Sequence, residues 1–213
     1  PSEMCIRDSF RPIIDDTIDH SKDNHIQTIL LHFGIDLSYE EAYGYSMSDL
    51  IKTWNSDDRE AIFNTIISKY KTLEERFDFV IVEGSDFSQF GAIIELDLNI
   101  LIAKNLGIPV LIITGALNKS VESTVDSLFL TFDSFREKEV NVIGVVANKV
   151  EENKLSEMKK DLAKRFPDGV LVYVIPVHHK LKNPTMKELA NSVDAKVLFG
   201  SELLDRPTGD IKI

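Results

Sequence analysis

The stretch 77–87 holds residues that could bind a phosphorylated ligand. An apolar run ends there in Glu83, and Gly84 follows it. A carboxylate at the end of a buried strand can hold Mg²⁺ or its water shell beside phosphates, and a glycine next to it leaves room for the ligand. We therefore predict Glu83 as a metal ligand and Glu83 with Gly84 as one side of a nucleotide site. The alternative is that Glu83 only caps the loop that follows.

A second candidate group is the pair Asn148 and Lys149, directly after the apolar run 141–147. An amide side chain can read the edge of a purine base through one donor and one acceptor, and the aliphatic part of a lysine can cover the base. We predict both residues as nucleotide-binding. The alternative is that Asn148 only forms a turn. No aspartate stands two residues after Lys149, so the guanine-reading pattern of GTPases is not met.

Asp15 is the third candidate, as a metal ligand opposite Glu83. It stands with Asp16 and Asp19 after the apolar run 10–14, although a solvated acidic loop explains these residues equally well. His25 and His32 are seven residues apart and could share a helix face, but no third zinc ligand lies nearby in the sequence. The histidines at 178–179 fit a surface loop.

Two phosphate-binding motifs and one catalytic motif are absent from the sequence. There is no Gly-x-x-x-x-Gly-Lys-Ser/Thr, no Gly-x-Gly-x-x-Gly after a strand, and no Gly-x-Ser-x-Gly nucleophile elbow. A phosphate-binding loop would therefore belong to a strand ahead of residue 10.

Five short apolar runs are predicted to form the strands that position these candidates. They are residues 10–14, 79–82, 109–114, 141–147 and 170–175. Helical spacing of apolar residues predicts helices over 24–33, 57–70, 121–135 and 155–166. This alternation is typical of a parallel sheet buried on both faces. Ligand sites in such folds lie at the carboxyl ends of the strands, which is where all the candidates stand.

Charge and composition exclude several functional classes. A net charge of -11 argues against nucleic-acid binding, which needs clustered lysine and arginine. The apolar runs are far shorter than the ~20 residues that span a bilayer. A single cysteine, Cys5, leaves no internal disulfide, and no signal-peptide pattern is visible. We expect a cytoplasmic protein that does not bind nucleic acid or membranes.

Three regions are expected along the chain. Residues 1–9 lack a periodic pattern and are predicted to be a non-native leader; residues 10–180 form the α/β domain, whose sheet lacks its beginning. Residues 181–213 are expected to start a second domain that the chain does not finish. In that region Asn183 is predicted to cap a helix with Pro184 at its first position, and residues 196–199 to form a strand.

Several motifs occur in the order found in dethiobiotin-synthetase-like domains. They are Phe10-Arg11-Pro12-Ile13, Val82-Glu83-Gly84-Ser85-Asp86, Ile108-Pro109-Val110, Gly144-Val145-Val146-Ala147-Asn148-Lys149 and Ile175-Pro176. Through residues 74–79, 103–109 and 133–138 the sequence most closely resembles the N-terminal region of long bacterial phosphate acetyltransferases. The resemblance implies a parallel-sheet three-layer α/β/α domain of the P-loop NTPase, dethiobiotin-synthetase-like type, truncated at its N-terminus.

The same resemblance implies a parent enzyme that converts acetyl-CoA and phosphate to acetyl phosphate and coenzyme A. In that family the catalytic domain is separate, so these residues would be an inactive regulatory and oligomerisation region of a homo-oligomer. Glu83 and Asn148 match the metal-side acid and the base-side amide of dethiobiotin synthetase, which makes a nucleotide, Mg²⁺ or another small effector the expected ligands. The alternatives are an ATP-dependent carboxylase or ligase of the dethiobiotin-synthetase type and a docking domain without a ligand.

Overall fold

The computed structural model describes residues 8–16, 23–54, 59–85, 92–178, 185–192, 195–206 and 208. In these residues six strands and seven α-helices are found. The strands are β1 Asp8–Ile14, β2 Tyr43–Ser46, β3 Val80–Val82, β4 Val110–Gly115, β5 Val142–Val150 and β6 Leu171–Pro176. The helices are α1 Asn24–Phe33, α2 Met47–Trp54, α3 Arg59–Arg76, α4 Ala92–Leu106, α5 Val121–Glu137, α6 Leu155–Arg165 and α7 Met186–Ser192.

The chain divides into two compact units. The first consists of Pro1–Val110 and Asp133–Val142, and the second of Leu111–Phe132 and Ile143–Ile213. Each unit contains its own group of three strands. No helix in the described ranges is both long enough and apolar enough to span a membrane.

The sheet of the first unit has the strand order β2-β1-β3, and all of its pairs are parallel. Arg11 of the central strand pairs with Tyr43 on one side, and Phe10 pairs with Val82 on the other. Residues 10–14 are all buried. A strand covered on both faces needs a nearly continuous apolar run, and this run is interrupted only by Arg11. A charged residue in that place must find a partner inside the protein.

Helix α3 supplies much of the core of the first unit. Ile62, Ile66 and Leu73 are at most 1% exposed and recur at helical spacing, so one stripe of α3 is buried. The helix packs against β2 and β1. Gly44 allows this approach, because a Cβ there would lie 2.5 Å from the carbonyl oxygen of Pro12 and 2.9 Å from the side chain of Ile66.

The strands of the second sheet follow the order β4-β5-β6. Strands β5 and β6 are parallel, with Gly144 opposite Leu171. Hydrogen bonds from the N–H of Val110 to the oxygen of Asn141 (2.8 Å) and from the N–H of Ala116 to that of Asn148 (2.7 Å) show that β4 runs in the same direction. The second unit buries apolar side chains of α5 and α6 and of the residue that follows α6. They include Leu128, Phe132, Met158, Leu162 and Phe166.

The structure confirms the five predicted strands and the four predicted helices, with small differences in their ends. Strand β1 begins at Asp8, two residues earlier than predicted, and α3 extends to Arg76. Strand β2 was missed. The predicted strand over 196–199 is wrong, because these residues have no strand partner and Phe199 is 93% exposed.

The predicted start of the last helix also needs correction. Asn183 lies outside the described residues, and α7 begins at Met186. Thr185 occupies the capping position, since its N–H donates to Glu188 Oε2 (2.7 Å) while its hydroxyl accepts from the N–H of Glu188 (3.2 Å). This reciprocal pattern is a capping box, which satisfies backbone donors at the helix start.

Candidate functional site

Glu83 lies beside the central strand of the first sheet. Its backbone N–H donates to the oxygen of Phe10 (2.9 Å), which continues the pairing of β3 with β1 by one residue. The carboxylate is thereby brought to Arg11, whose Nε lies 4.0 Å from Glu83 Oε2. The acid predicted from the sequence is therefore held against a buried cation.

Arg11 has a second and closer partner in Asp23. Its Nη1 donates to both carboxylate oxygens of Asp23, at 3.1 and 3.0 Å. The side chains of Arg11 and Asp23 are 8% and 9% exposed, so this ion pair is buried. Burial of a charge is costly unless a partner compensates it, and this pairing explains how an arginine is tolerated in β1.

Asp23 also starts helix α1. Its carboxylate accepts from the backbone N–H groups of His25 (2.9 Å) and Ile26 (3.2 Å), which would otherwise lack partners in the first turn. Its own N–H donates to the hydroxyl oxygen of Tyr39 (2.7 Å). Burial raises the pKa of Tyr39, so this hydroxyl stays protonated at neutral pH. One carboxylate thus fixes both the arginine and the beginning of α1.

His25 lies on the solvent side of this group of residues. Its Nδ1 lies 2.9 Å from Glu83 Oε1, and its side chain is 65% exposed. We call Arg11, Asp23, His25 and Glu83 the Glu83 cluster. It contains two carboxylates, one guanidinium and one imidazole, so its charge is −1 with a neutral imidazole and 0 with a protonated one. The sequence predicted only Glu83 as a member.

The Glu83 cluster does not have the composition of a magnesium site. Mg²⁺ takes oxygen ligands, whereas here each oxygen of Glu83 faces a nitrogen group, and the guanidinium of Arg11 would repel a metal ion. Among the described residues, no group of three or more His, Cys, Asp or Glu side chains could hold a metal ion. We therefore assign no metal ion to the Glu83 cluster.

The acidic residues after β1 have different environments. Asp15 directly follows the strand, and its role as a metal ligand stays a prediction. Asp16 accepts from the N–H (2.9 Å) and the hydroxyl (2.5 Å) of Ser48 at the start of α2. Burial alone would raise the pKa of Asp16, but the hydrogen bonds from Ser48 and Ser46 lower it overall. Asp16 therefore caps α2 as an anion, and Asp19 lies outside the described residues.

Gly84 and Ser85 are held by Asn99 of α4. The N–H of Ser85 donates to Asn99 Oδ1 (2.9 Å), and Asn99 Nδ2 donates to the oxygen of Ser85 (3.0 Å). A Cβ at Gly84 would lie 3.1 Å from Asn99 Oδ1, so the amide occupies the space beside the glycine. The Ser85 hydroxyl is buried without a hydrogen-bond partner in the described part of the chain.

Asn148 and Lys149 belong to the second unit, where they form an irregular end of β5. Asn148 Oδ1 accepts from the N–H of Lys149 (2.9 Å), and the nucleotide-binding role of Asn148 stays a prediction. Lys149 has φ 60°, a left-handed conformation uncommon outside glycine, and the register of β5 against β6 shifts here. Strained residues of this kind cluster at functional sites, so the outlier supports a functional hypothesis.

The loop after β4 is hydrogen-bonded to the end of β5 that contains Asn148 and Lys149. Besides the bond from Ala116 to Asn148, Lys154 Nζ donates to the oxygen of Lys119 (3.0 Å) and pairs with Glu151 (2.6 Å). The Lys149 side chain is exposed. Two loops at the carboxyl ends of neighbouring parallel strands thus meet, as expected for a ligand site in this class of fold.

Comparison with known protein families gives the classification. A family model described as an AAA domain matches residues 7–185. The chain belongs to this AAA domain family. Together with the two parallel sheets, the match confirms the predicted fold class, a three-layer α/β/α domain of the P-loop type.

Two curated relatives of this AAA domain are both named phosphate acetyltransferase. That of Nitratidesulfovibrio vulgaris is 36% identical over 205 residues, covering 94% of this chain and 29% of the relative. That of Synechocystis sp. is 29% identical over 197 residues, covering 92% of this chain and 28% of the relative. The chain therefore spans less than a third of the length of these relatives, and the predicted resemblance is confirmed.

Sequence reasoning missed the partners of Glu83 in the AAA domain. Arg11 could have been found, because a charge within the apolar run 10–14 requires a buried counter-ion. Asp23 carried the signal of a helix cap, since it directly precedes α1. Nothing in the sequence pairs His25 with Glu83, which is 58 residues away.

Proposed function

We propose that this AAA domain is a regulatory and oligomerisation region of a phosphate acetyltransferase. The supporting observation is the 36% identity over 94% of this chain to a relative of that name, of which the match covers 29%. The parent enzyme would convert acetyl-CoA and phosphate to acetyl phosphate and coenzyme A in the cytoplasm. A phosphate oxygen attacks the thioester carbonyl carbon, the carbon–sulfur bond breaks, and the released thiolate takes up a proton.

We propose no catalytic role in that reaction for residues of this chain. Their role would be to bind a small effector, with a nucleotide as the first candidate because the AAA domain family has the P-loop type of fold. In the second unit, Asn148 and Lys149 would contact the base. For the first unit, the nucleotide-binding role of Glu83 and Gly84 is a separate proposal. The left-handed Lys149 and the joined loops after β4 and β5 support an adapted ligand site.

An assay of the full-length enzyme tests this proposal. Release of coenzyme A from acetyl-CoA and phosphate is measured with and without ATP, GTP, NADH or pyruvate, for the intact protein and for a form lacking these 213 residues. We expect the shortened form to retain acetyl transfer and to lose the response to an effector. Equal responses in both forms would show that the regulatory site lies outside these residues. Acetyl transfer by the 213-residue chain alone would refute the proposal.

An ATP-dependent carboxylase or ligase of the dethiobiotin-synthetase type is the second candidate. The match of residues 7–185 to an AAA domain is the observation that favours it. It differs from the first proposal in requiring ATP turnover. ADP production that depends on an added carboxylation substrate would support this candidate, whereas saturable binding without turnover would favour regulation. Absence of saturable binding in calorimetry would leave a ligand-free docking domain.

A further inference from the structure

A polar cavity of about 490 Å³ lies in the first unit, where the edge strand β2 meets helices α2 and α3. Sites for small molecules have volumes of about 300–1,000 Å³, so this cavity is large enough for a metabolite. Its charged lining residues are Asp49 and Lys52 of α2 and Lys69 of α3, and every other lining residue is a glycine or carries a hydroxyl group. We call it the β2 cavity. Its lining favours a polar ligand.

The balance of charge in the β2 cavity is the reverse of that in the whole chain. The chain has 24 lysine and arginine residues against 35 aspartate and glutamate residues, whereas the cavity has two ammonium groups against one carboxylate. Asp49 and Lys52 pair at 2.9 Å, and both side chains are mostly exposed. The charges of this pair compensate each other, so the excess charge of the cavity is that of Lys69.

Lys69 presents a fixed ammonium group to the β2 cavity. In the described part of the chain its hydrogen-bond partners are two neutral backbone oxygens, those of Glu40 (3.0 Å) and Tyr43 (2.9 Å). Partial burial lowers the pKa of Lys69 more than the Glu40 carboxylate raises it. An ammonium group has three donors, so one is left for a ligand once these two bonds are made. A bound anion would supply a counter-charge in direct contact.

The backbone of β2 adds donors on the same side as Lys69. Along a strand, the N–H and C=O groups of successive residues point alternately to its two sides. The oxygen of Ala42 accepts from the N–H of Arg11 (2.9 Å), so Ala42 points to β1. Tyr43 then points away from β1, as its hydrogen bond from Lys69 shows. The N–H groups of Tyr43 and Tyr45 therefore also point away from β1, where they can donate to the oxygens of an anion.

The hydroxyl groups of the β2 cavity favour a ligand that can also donate a hydrogen bond. The Thr65 hydroxyl gives its hydrogen to the oxygen of Ala61 (2.9 Å), so towards a ligand its oxygen can only accept. The hydroxyl oxygens of Tyr45 and Thr53 lie 3.3 Å apart, and the hydrogen bond between them occupies one of their two hydrogens. A ligand that carries a hydroxyl group beside its negative charge would satisfy Thr65.

We propose that the β2 cavity binds a small hydroxylated organic anion, whose carboxylate or phosphate group lies against Lys69 and the outward N–H groups of β2. Hydrogen bonds to charged groups are roughly twice as strong as neutral ones. The hydroxyl group of the ligand would donate to Thr65. This site goes beyond the nucleotide contacts proposed for Asn148 and Lys149 in the second unit, and it involves no acetyl transfer. Its failure would leave the proposed function untouched.

Lysine footprinting of the full-length protein tests the inference. An N-hydroxysuccinimide ester of acetic acid modifies unprotonated amines, and mass spectrometry gives the rate at each lysine with and without glycerol 3-phosphate or malate. We expect a saturating anion to slow the modification of Lys69 at least about tenfold, because an adjacent negative charge keeps an ammonium group protonated. Lys71 also belongs to α3 but does not line the β2 cavity, so its rate should not change.

The pattern of protection identifies the class of ligand. Protection by glycerol 3-phosphate alone indicates a phosphate ester, protection by malate alone indicates a carboxylate, and protection by both supports their shared anionic chemistry. Glycerol is the uncharged control and should leave Lys69 reactive. Equal protection by glycerol, or no protection of Lys69 by either anion, would overturn the inference.

Two variants test whether the anion binds in the β2 cavity. Lys69→Met should weaken calorimetric binding of the protecting anion at least about tenfold, whereas Lys71→Met should bind it like the parent protein. Because Lys69 also holds β2, Thr65→Val is the second variant, since it keeps the shape and all charges. It should weaken binding of malate or glycerol 3-phosphate about threefold, but not binding of succinate or propyl phosphate, which lack the hydroxyl group. Binding of the protecting anion that either variant leaves unchanged would overturn the proposal.

Discussion

Arg11 of β1 and Asp23 at the start of α1 form a buried ion pair in which one guanidinium nitrogen contacts both carboxylate oxygens, at 3.0 and 3.1 Å. The two residues are twelve positions apart and belong to consecutive elements. Because Asp23 also caps α1, the pair fixes the start of this helix against the central strand. Glu83 and His25 then attach at the edge of the same group.

Replacing Asp23 by asparagine should destabilise the first unit strongly. Asparagine is a good helix cap, so the change removes the negative charge while keeping the capping function. It leaves Arg11 as a buried cation without its closest partner, which typically costs about 3–5 kcal/mol. Urea denaturation can be followed by the fluorescence of Trp54, the only tryptophan, which lies in α2 of the same unit.

Asp49→Asn is the matched control for this change. Asp49 pairs with Lys52 at 2.9 Å, but their side chains are 60% and 74% exposed. Exposed pairs contribute about 0–1 kcal/mol, so the control should unfold at almost the same urea concentration as the parent protein. If Asp23→Asn behaved like this control, Arg11 would not depend on the ion pair.

Gly44→Ala should disrupt the contact between β2, β1 and α3. The added methyl would lie 2.5 Å from a backbone oxygen of Pro12, a distance that no side-chain rotation can relieve. Overpacking of this kind costs about 1–3 kcal/mol or more. Circular dichroism should show a lower melting temperature for this variant.

Gly115→Ala is the control, because among the described residues no atom other than those of its chain neighbours lies within 4 Å of the position of its Cβ, and its φ is not positive. Alanine at such a position changes stability by about 0.4–1 kcal/mol in the favourable direction, through the entropy of the unfolded chain. If the steric clash is the cause, Gly44→Ala should lower the melting temperature and Gly115→Ala should raise it slightly. A melting temperature for Gly44→Ala equal to or above that of the parent protein would contradict it.

The strands that could be predicted from the sequence are those that contain short, nearly continuous apolar runs. Strands β4, β5 and β6 contain runs rich in valine and isoleucine, and β1 contains the run 10–14, which only Arg11 interrupts. Such runs are typical of parallel sheets. Strand β2, with the sequence Tyr-Gly-Tyr-Ser, has no such run and lies at the edge of its sheet. Strand β2 forms because it pairs with β1, which is distant in the sequence. Residues 196–199 show the converse, since they have a strand-like sequence but do not form a strand in the described part of the chain.

The candidate site was predictable only in part, for a similar reason. The positions of Glu83 and Asn148 follow from the ends of two strands, and strand ends can be read from hydrophobic patterns. The partners of Glu83 depend on how α1 returns to the sheet, a non-local feature that periodicity does not encode. The Glu83 carboxylate was therefore expected to face a metal ion, whereas the structure places it beside Arg11 and His25.

Lys69→Met should weaken the edge of the first sheet. The ammonium of Lys69 donates to the backbone oxygens of Glu40 (3.0 Å) and Tyr43 (2.9 Å), and it lies 4.7 Å from the centre of the Tyr43 ring. Partial burial of the ammonium group lowers the pKa of Lys69. Methionine keeps the length but removes the donors, so we expect a loss of about 1–3 kcal/mol in urea denaturation.

Lys71→Met provides the comparison for Lys69. Lys71 lies two residues further along α3, its side chain is 58% exposed, and it pairs with Glu74 one turn away. Such pairs contribute about 0.3–0.5 kcal/mol. If the two substitutions lowered the free energy of unfolding equally, water would replace the hydrogen bonds from Lys69 with no loss of stability. Lys69 would then not stabilise the edge strand.

Glu41 should remain ionised to unusually low pH. The Ser38 hydroxyl (2.6 Å) and the Ser38 N–H (3.0 Å) donate to one oxygen of Glu41, and Arg76 donates to the other (2.6 Å). In order of effect, the hydrogen bonds from Ser38 and then that from Arg76 lower the pKa of Glu41 to about 2. The folded value lies below the usual 4.5, so the stabilisation is complete above pH 4.5 and is lost as the pH falls towards 2.

Carbon-13 NMR of the Glu41 carboxyl group between neutral pH and pH 2 measures this pKa directly. Ser38→Ala and Arg76→Met should each raise the pKa, because the Ser38 hydroxyl and the Arg76 guanidinium both donate to the carboxylate. In the Glu41→Gln variant, this contribution to the pH dependence of unfolding should disappear. A Glu41 that titrates near 4.5 in the parent protein would show that the contacts with Ser38 and Arg76 do not persist in solution.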